Sequence, residues 1–391
     1  MSGLTRRLAL ATGAATLLAR QAAADPLPIR IGLVVVLTGP QAALGRQVRD
    51  GALLGLKRTG GKLGGRPAEA LVIDDELKPD VAVAKVRTAL ERDKVDFVTG
   101  VVFSNVLLAI AHPVTENGTF LISNNAGPST LAGKGCNPFF FTTSYNNDQV
   151  HSVMGQVAQE NGYRRVFLLL PNYQAGRDAA SGFKSRFKGD IVDEVYVPLT
   201  QLDFSAELAR IAASTPDAVF TFMPGGLGIS LVRQYRQAGL ARIAFLSTFT
   251  TDEATLPAMG DAAAGFYTAS PWAPNMDVPA SRAFVTAFEA EYGYVPGSYA
   301  AQAYDGIMLL DGAVGKVGGD LADKTALRRA IEGAPFQSVR GPFRFGVNHY
   351  PVQDFWLCRV AKRPDGKYWT ETVRRVLHDD VDPYAAECRM A

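Results

Sequence analysis

The chain has 391 residues, of which 47% are hydrophobic and 20% are charged. This composition excludes a disordered chain and predicts large buried cores. At roughly 100–200 residues per domain, the length predicts two or three domains. Lys and Arg together number 40 and Asp and Glu 38, which gives a formal charge of +2. Because the sequence has no dense basic run, we expect no nucleic-acid partner.

Residues 1–24 have the pattern of a secretory signal peptide. Arg6 and Arg7 precede an apolar run rich in Ala and Leu, and Ala22–Ala24 supply small residues for cleavage. The run is far shorter than the ~20 apolar residues that span a bilayer, and a buried N-terminal helix would have to accommodate Arg20. We therefore expect export to the periplasm, by the Sec or the twin-arginine route. Cleavage would change the formal charge from +2 to −1, because three arginines and no acidic residue are removed.

From Ile29 onward, short apolar runs alternate with amphipathic stretches. The run Ile29–Leu37 suits a strand that is buried on both faces. The elements predicted after it are helix Ala42–Lys57, strand Ala68–Ile73, helix Asp80–Arg92, strand Asp96–Thr99, helix Asn105–Thr115 and strand Thr119–Ile122. This βαβ alternation predicts a parallel sheet with helices on both faces.

A second series of the same kind begins after Tyr145. Its predicted elements are helix Gln149–Gln159, strand Arg165–Leu170, helix Arg177–Phe187, strand Val192–Val197, helix Ser205–Ala213, strand Ala218–Phe222, helix Ile229–Gln237 and strand Ile243–Leu246. The remaining predicted elements are helices Ala280–Glu291, Tyr299–Val314 and Lys324–Ile331 and the strand-like segments Gly341–Phe345 and Phe355–Val360.

This order predicts an α/β fold with two Rossmann-like lobes, each built on a parallel central sheet. Both lobes are complete before the last helices begin, so these helices must pack back onto one lobe. We expect one lobe to comprise 25–146 with 275–346, and the other to comprise 147–274 with 347–391.

Five segments of the sequence resemble those of a known family. They are Leu37-Thr38-Gly39-Pro40 with Gly45, Gly100–Ser104, Ile122–Ala126, Asn172–Gly176 and Arg233–Leu240. In this order they are similar to the branched-chain amino acid binding proteins, the type I solute-binding proteins of ABC importers. The resemblance implies two lobes joined by three hinge crossings, a ligand in the cleft, closure on binding and a membrane permease as partner. We expect no cofactor, no enzymatic activity and a monomer.

The candidate carboxylate site lies in the first lobe. Ser104 follows the apolar segment Val98–Phe103 and precedes a helix, so its hydroxyl and the free N–H groups of that helix can bind an anion. A plain helix-capping role would explain the same serine. Asn125, Ala126 and Gly127 follow the next strand and let backbone N–H groups approach an anion, although a tight turn uses the same residue types. The resemblance implies that both segments contact the ligand carboxylate.

Further candidates lie at strand ends of the second lobe. Tyr173 can form an aromatic wall beside Ala175, and Pro224 and Gly225 follow a later strand. A solvent-facing tyrosine and a turn-forming Pro-Gly pair are the alternatives. The resemblance implies that Leu44 and Tyr299 line the side-chain pocket. Tyr299 lies in a predicted helix, where it could equally belong to the core.

Motifs of enzymes and metal sites are weak in this sequence. H-E-x-x-H and G-x-S-x-G do not occur. Gly127–Gly135 resembles a phosphate-binding loop, but it has one residue too many between its glycines and a glycine after Lys134. The four histidines are scattered, and a solvated loop explains Asp74-Asp75-Glu76 as well as a cation site does. We therefore expect a binding protein for a small molecule, with a ligand sensor of the same fold and a hydrolase as the alternatives.

Three cysteines permit one disulfide after export. Cys358 lies in an apolar strand-like run and suits a buried thiol, whereas Cys136 and Cys388 lie in polar segments. The sequence therefore favours a Cys136–Cys388 pair. The cysteine pair of the family's amino acid binders is missing, because Phe103 stands where they carry one of the two.

The ligand follows from the charges that a receptor must satisfy. In the resembled family an acidic side chain after a second-lobe strand meets the ligand ammonium, but here Phe249 stands at that position and no carboxylate follows before Asp252. A buried ammonium without a partner is costly, whereas an aromatic ring favours a flat ligand. We therefore expect a carboxylate with an aromatic body, with Phe249 and Tyr173 as walls. The alternative is an amino acid whose ammonium meets Asp252 or Glu253, with Phe249 in the core of its lobe.

Overall fold

The structure, a computed structural model, describes residues 27–390, so the predicted signal peptide at 1–24 lies outside the described residues. Two α/β lobes, each built on one sheet, account for the described part of the chain. No helix between residues 27 and 390 is both long enough and apolar enough to cross a membrane.

The first lobe is a βαβ series around a six-stranded sheet. Its elements are β1 Ile29–Val35, α1 Ala42–Arg58, β2 Lys62–Leu63, β3 Arg66–Asp74, α2 Pro79–Glu91, β4 Phe97–Gly100, α3 Ser104–Glu116, β5 Phe120–Ser123 and β6 Phe140–Thr142. The strand order is β2-β3-β1-β4-β5-β6, and every pair except β2 with β3 is parallel. Nearly every residue of β1, β4 and β5 is buried, because helices cover both faces of the sheet.

The second lobe contains an eight-stranded mixed sheet. Its first elements are α4 Asn147–Glu160, β7 Arg165–Pro171, α5 Gln174–Arg186, β8 Asp190–Val197, α6 Ser205–Ser214, β9 Ala218–Thr221, α7 Gly226–Gln237, β10 Ala244–Thr248, α8 Leu256–Met259 and β11 Tyr267–Ser270. The chain later adds β12 Arg344–Phe345, β13 Pro351–Lys362 and β14 Tyr368–Asp380. The order is β12-β13-β11-β10-β9-β7-β8, with β14 paired to β13. The strands β7 to β11 are parallel, and β12 to β14 are antiparallel additions.

The chain passes between the lobes three times. It enters the second lobe at α4, returns as α9 Pro279–Tyr292, α10 Ser298–Lys316 and α11 Lys324–Glu332, and then crosses again to β13. α10 lies so close to α1 that a Cβ on Gly51 would be 2.1 Å from the carbonyl oxygen of Ala300. Only glycine permits this approach, and it holds the late helices on the first lobe. The predicted lobe boundaries stay predictions, and β12 pairs with β13, so this part of 275–346 continues the second sheet.

The structure contains strands that are too short or too exposed for the sequence to predict. β6 and β11 have three and four residues, and in β14 only Thr370 and Leu377 are buried. A strand of three or four residues, or one with two buried positions, lacks the longer periodic pattern that predicts a strand. The strand predicted at Gly341–Phe345 is wrong in its first part, because β12 begins only at Arg344. Helices α3, α5 and α7 begin one to three residues before their predicted first residues.

A disulfide joins Cys136 and Cys388, which are 252 residues apart in sequence. Cys136 lies between β5 and β6 of the first lobe, whereas Cys388 follows β14 of the second lobe. The bond therefore ties the C-terminal segment to the first lobe. Cys358 in β13 is a buried thiol, and burial raises its pKa. This pairing agrees with the one that the sequence favours.

Candidate binding site

The candidate site lies where the carboxyl ends of strands from both lobes meet. β4 and β10 are each followed by a non-glycine residue with a positive φ, Val101 at 62° and Phe249 at 55°. A β-branched residue rarely adopts this conformation. Strained backbone of this kind concentrates at ligand sites, where the surrounding structure holds it in place. The Val101 N–H donates to the carbonyl of Val34 at 2.7 Å, which fixes the first of these two loops.

Ser104 is the first residue of α3 and not its N-cap. The N-cap position is Phe103, and no side chain caps the helix. The Ser104 hydroxyl is buried and accepts a hydrogen bond from Asn147 Nδ2 at 3.1 Å. The first-turn N–H groups of α3 therefore lack a side-chain partner, and the helix dipole adds positive potential at this point. This arrangement can bind a carboxylate at the start of α3.

Several hydrogen-bond donors of the loop Asn125–Gly127 already have acceptors within the protein. Asn125 Nδ2 donates to a backbone carbonyl at 2.7 Å. The Ala126 N–H donates to the Val101 carbonyl at 3.1 Å, and the Gly127 N–H donates to Asn147 Oδ1 at 3.3 Å. Fewer donors therefore remain for an anion here than the sequence predicts. The ligand contact of these three residues stays a prediction.

Phe249 projects across the cleft toward rings outside its own sheet. Its ring centroid is 5.0 Å from that of Tyr145, with 17° between the ring planes, and 5.9 Å from that of Tyr299. Tyr145 lies at the first crossing between the lobes, and Tyr299 lies in the first turn of α10. The buried Phe249 ring therefore packs against rings outside its own sheet, and its contact with a ligand stays a prediction.

A second set of rings continues this contact. The Phe103 centroid is 6.0 Å from that of Tyr173, which in turn is 6.3 Å from that of Phe222. Phe103 precedes α3 in the first lobe, whereas Tyr173 and Phe222 follow β7 and β9 in the second. The aromatic contact thus joins the two lobes. We use the name aromatic cluster for these buried rings: Phe103, Tyr145, Tyr173, Phe222, Phe249 and Tyr299.

Burial keeps the cluster tyrosines neutral. It raises the pKa of Tyr145, Tyr173 and Tyr299 well above the usual value. The Tyr145 hydroxyl donates to Asn125 Oδ1 at 2.9 Å. In the described part of the chain, the hydroxyls of Tyr173 and Tyr299 have no hydrogen-bond partner. Both are therefore available to a polar group of a ligand.

Two adjacent acids after β10 have different surroundings. Glu253 Oε1 accepts hydrogen bonds from the N–H and the hydroxyl of Thr370, both at 2.7 Å. Asp252 Oδ1 accepts from the Ala254 N–H at 2.7 Å, whereas its buried Oδ2 has no partner within residues 27–390. Burial raises the pKa of both carboxyls. Of the two acids, Asp252 is the one with a fully buried oxygen that lacks a partner.

Residues at the rim of the cleft contact one another in this conformation. The Gly226 N–H donates to the Pro40 carbonyl at 3.1 Å. A Cβ on Gly225 would lie 3.2 Å from the Cα of Gln41. The predicted site residues Pro224 and Gly225 therefore adjoin the loop of the first lobe that precedes α1. We infer that they form the rim of the site.

Leu44 and Ala175 lie in the first turns of α1 and α5. Both are buried in the apolar core. Their helices begin at the cleft, but the side chains contribute to packing. Contact of either residue with a ligand stays a prediction.

Sequence reasoning missed three residues of the site: Tyr145, Asn147 and Phe222. Tyr145 and Asn147 follow β6, a short strand whose end the sequence did not reveal. Recognition of that strand end would have placed both residues in the site. Phe222 was assigned to the preceding strand, but β9 ends at Thr221.

Groups of the protein contact two of the three acids of the motif at 74–76. Asp74 accepts hydrogen bonds from the Leu37 N–H and the Thr38 hydroxyl, and Glu76 forms ion pairs with Lys78 and Lys85. Asp75, in contrast, is buried; its Oδ1 accepts the Leu77 N–H at 2.7 Å, and its Oδ2 has no partner among residues 27–390. The solvated-loop interpretation therefore fits Asp74 and Glu76 but not Asp75.

Among the described residues, one group of three possible metal ligands brings its atoms within 4.8 Å of one another: Asp354, His378 and Asp379. Arg375 pairs with the Asp354 carboxylate at 2.9 Å, and Arg344 pairs with Asp379 at 3.5 Å. His378 also bonds to Asp354. These ion pairs place a cationic side chain beside each of the two carboxylates.

Comparison with known proteins agrees with this architecture. The model of a family described as periplasmic binding protein matches residues 28–367. A solute-binding protein of an ABC transporter from R. palustris, solved in complex with benzoate, is 32% identical, with a TM-score of 0.88 and coverage of 93% of this chain and 99% of that one. A second, from Rhodopseudomonas palustris BisB5 in complex with 3,4-dihydroxybenzoic acid, is also 32% identical, with a TM-score of 0.85 and coverage of 91% and 99%. The Leu/Ile/Val-binding protein homolog 6 of Brucella melitensis is 26% identical over 358 residues, which are 88% of this chain and 91% of that protein. The chain belongs to the periplasmic binding protein family and has its type I, two-lobed fold.

Proposed function

We propose that this protein is exported to the periplasm, binds a small aromatic carboxylate between its lobes without turnover, and delivers it to the permease of an ABC importer. The observation that carries the ligand class is Phe249, which stacks on Tyr145 where amino acid receptors of the resembled family place an acid. An aromatic ligand adds stacking of about 0.5–1.5 kcal/mol to the burial of its surface. The two relatives solved with benzoate and 3,4-dihydroxybenzoic acid support this class.

The two ends of the cleft suit the two parts of such a ligand. The uncapped start of α3 at Ser104 offers N–H groups to the carboxylate. The aromatic cluster offers flat apolar walls to the ring. No lysine or arginine is needed at the carboxylate, because a helix N-terminus binds an anion through its dipole and its N–H groups.

Calorimetry tests the proposal. The protein is unfolded and refolded to remove any bound molecule and is then titrated with benzoate, 4-hydroxybenzoate, leucine and valine. We expect binding of the aromatic acids and much weaker or no binding of the amino acids. Binding of leucine or valine without a response to either aromatic acid would overturn the proposal.

A variant pair links the result to the cluster. Phe249→Leu should weaken benzoate binding by roughly tenfold, because it removes a stacked ring. Phe245→Leu is the matched control, because Phe245 lies in the same strand region and stacks on Phe266 in the second-lobe core, at 4.4 Å between centroids. Equal losses for the two variants would show that the effect is one of stability.

A further inference from the structure

Asp252 has one satisfied and one unsatisfied carboxyl oxygen. Only 4% of the residue is exposed, and Oδ1 accepts the Ala254 N–H at 2.7 Å. Oδ2 is buried without a partner in the part of the chain that the structure describes. A buried oxygen in this state costs free energy, so a group that donates a hydrogen bond to it would be stabilised there.

The position of Asp252 assigns this oxygen to the binding site. Asp252 follows Phe249 by three residues, and Phe249 contacts both Tyr145 and Tyr299. A Cβ on Gly297, the residue before α10, would lie 3.7 Å from the backbone N of Glu253, so the segment that carries Asp252 adjoins the start of the helix that holds Tyr299. Its neighbour Glu253 is directed to Thr370 of β14 instead.

The surroundings favour a hydroxyl over an ammonium as the donor. A phenolic hydroxyl has one proton to donate, which matches one free oxygen, whereas an ammonium has three. Its Oδ2 has no partner among residues 27–390, so no cationic side chain described in the structure competes for this oxygen. Phe249, three residues before Asp252, belongs to the aromatic cluster, and the carboxylate site at Ser104 belongs to the opposite lobe.

We propose that Asp252 is a specificity-determining residue that accepts a hydrogen bond from a ring hydroxyl of the ligand, so that hydroxybenzoates bind in preference to benzoate. This inference rests on the proposed function and specifies which substituent the aromatic ring of the ligand carries. The carboxylate binds at the start of α3, the ring lies within the aromatic cluster, and the hydroxyl reaches Oδ2 from the edge of the ring away from the carboxylate.

The first test needs no variant. The refolded protein is titrated with benzoate, 3-hydroxybenzoate, 4-hydroxybenzoate and 4-fluorobenzoate, the last being similar in size to the phenol but without a proton to donate. We expect 3- or 4-hydroxybenzoate to bind roughly tenfold or more tightly than benzoate and 4-fluorobenzoate. Equal affinity of all four acids would overturn the inference and leave the proposed function standing. Absence of binding by every aromatic acid would overturn both.

The second test assigns the preference to Asp252. In Asp252→Ala the ratio of the affinity for the hydroxylated acid to the affinity for benzoate should fall to about one. Asp252→Asn keeps the volume and the bond to the Ala254 N–H, and we expect an intermediate preference. Glu253→Gln is the matched control and should keep the full preference. Circular dichroism checks that Asp252→Ala is folded, and an unchanged preference in the folded variant would overturn the assignment. Leucine binding by the parent protein that is lost in Asp252→Ala would also overturn it.

Discussion

Ser104 contributes a single hydroxyl at the uncapped start of α3. Ser104→Ala should weaken benzoate binding by at least about 1 kcal/mol, or roughly fivefold, because the carboxylate loses one hydrogen bond. Calorimetry measures the change. Ser185→Ala is a suitable control, because the Ser185 hydroxyl donates to the carbonyl of Gly182 within α5. Equal affinities of the two variants would show that the carboxylate binds elsewhere.

Asp148 is a buried carboxyl whose ionisation opposes folding. Burial, and then the charge of Asp178, raise its pKa to about 6, and Asp382 and Tyr384 face it from the C-terminal segment. Between about pH 4 and pH 6 the folded state therefore binds more protons at this residue than the unfolded state. The contribution of Asp148 to the free energy of unfolding falls as the pH rises through this range.

Asp148→Asn should therefore stabilise the protein at neutral pH. We expect the free energy of unfolding at about pH 7.5 to rise by up to about 3 kcal/mol, and the gain to shrink toward about pH 4, where the carboxyl is largely neutral in both states. Urea unfolding at the two pH values measures both quantities. Glu91→Gln, at an exposed position, is the control and should leave the free energy of unfolding unchanged at both pH values. A gain in stability of Asp148→Asn that does not depend on pH would refute the explanation.

Residue types at strand ends could be predicted from the sequence, but their hydrogen bonds could not. The apolar runs before Tyr173 and Phe249 are clear enough to place both side chains at the cleft. The use of the Ala126 and Gly127 N–H groups depends on Val101 and Asn147, which other loops bring to them. Such hydrogen bonds join residues that are distant in sequence, so no local sequence pattern predicts them.

At the scale of elements, the glycine of α1 that lies against α10 determines where Tyr299 is held. Gly51→Ala would force the two helices apart, because its Cβ would be 2.1 Å from the Ala300 carbonyl oxygen. We expect a loss of about 1–3 kcal/mol in the free energy of unfolding and weaker benzoate binding, since Tyr299 begins the same helix. Chemical unfolding and calorimetry measure the two effects.

A glycine of α10 supplies the control for this variant. A Cβ on Gly315 would have its nearest heavy atom at 3.7 Å, which is an ordinary contact. Gly315→Ala should therefore be neutral or stabilise the helix by up to about 1 kcal/mol. Destabilisation of both variants to the same extent would contradict the role assigned to the α1–α10 contact.

Elements with continuous apolar runs could be predicted from the sequence, whereas those defined by pairing could not. The buried strands β1, β4 and β7 fall within a few residues of their predicted positions. β14 carries Arg374 and Arg375 on exposed positions of a strand that pairs only with β13. An edge strand needs no buried face along its whole length, so its sequence resembles that of a loop.

At the scale of the molecule, the cleft is bridged by contacts between the lobes. Ser129 Oγ, in the first lobe, donates to Asp178 Oδ1 in α5 at 2.9 Å. Because only a closed state contacts the ligand from both sides, binding should shift the population toward it. We expect the radius of gyration from small-angle X-ray scattering to decrease when benzoate saturates the protein. An identical radius with and without saturating benzoate would show that closure does not accompany binding.

The Cys136–Cys388 bond closes a covalent ring that contains all three crossings between the lobes. A protease that cuts the backbone once anywhere inside this ring leaves both fragments attached to each other. Nicked molecules would therefore run as full-length protein on a denaturing gel and separate only after reduction. In a compartment that contains proteases, the two halves of the binding cleft would remain covalently joined after a cleavage that would separate them in a chain without this bond.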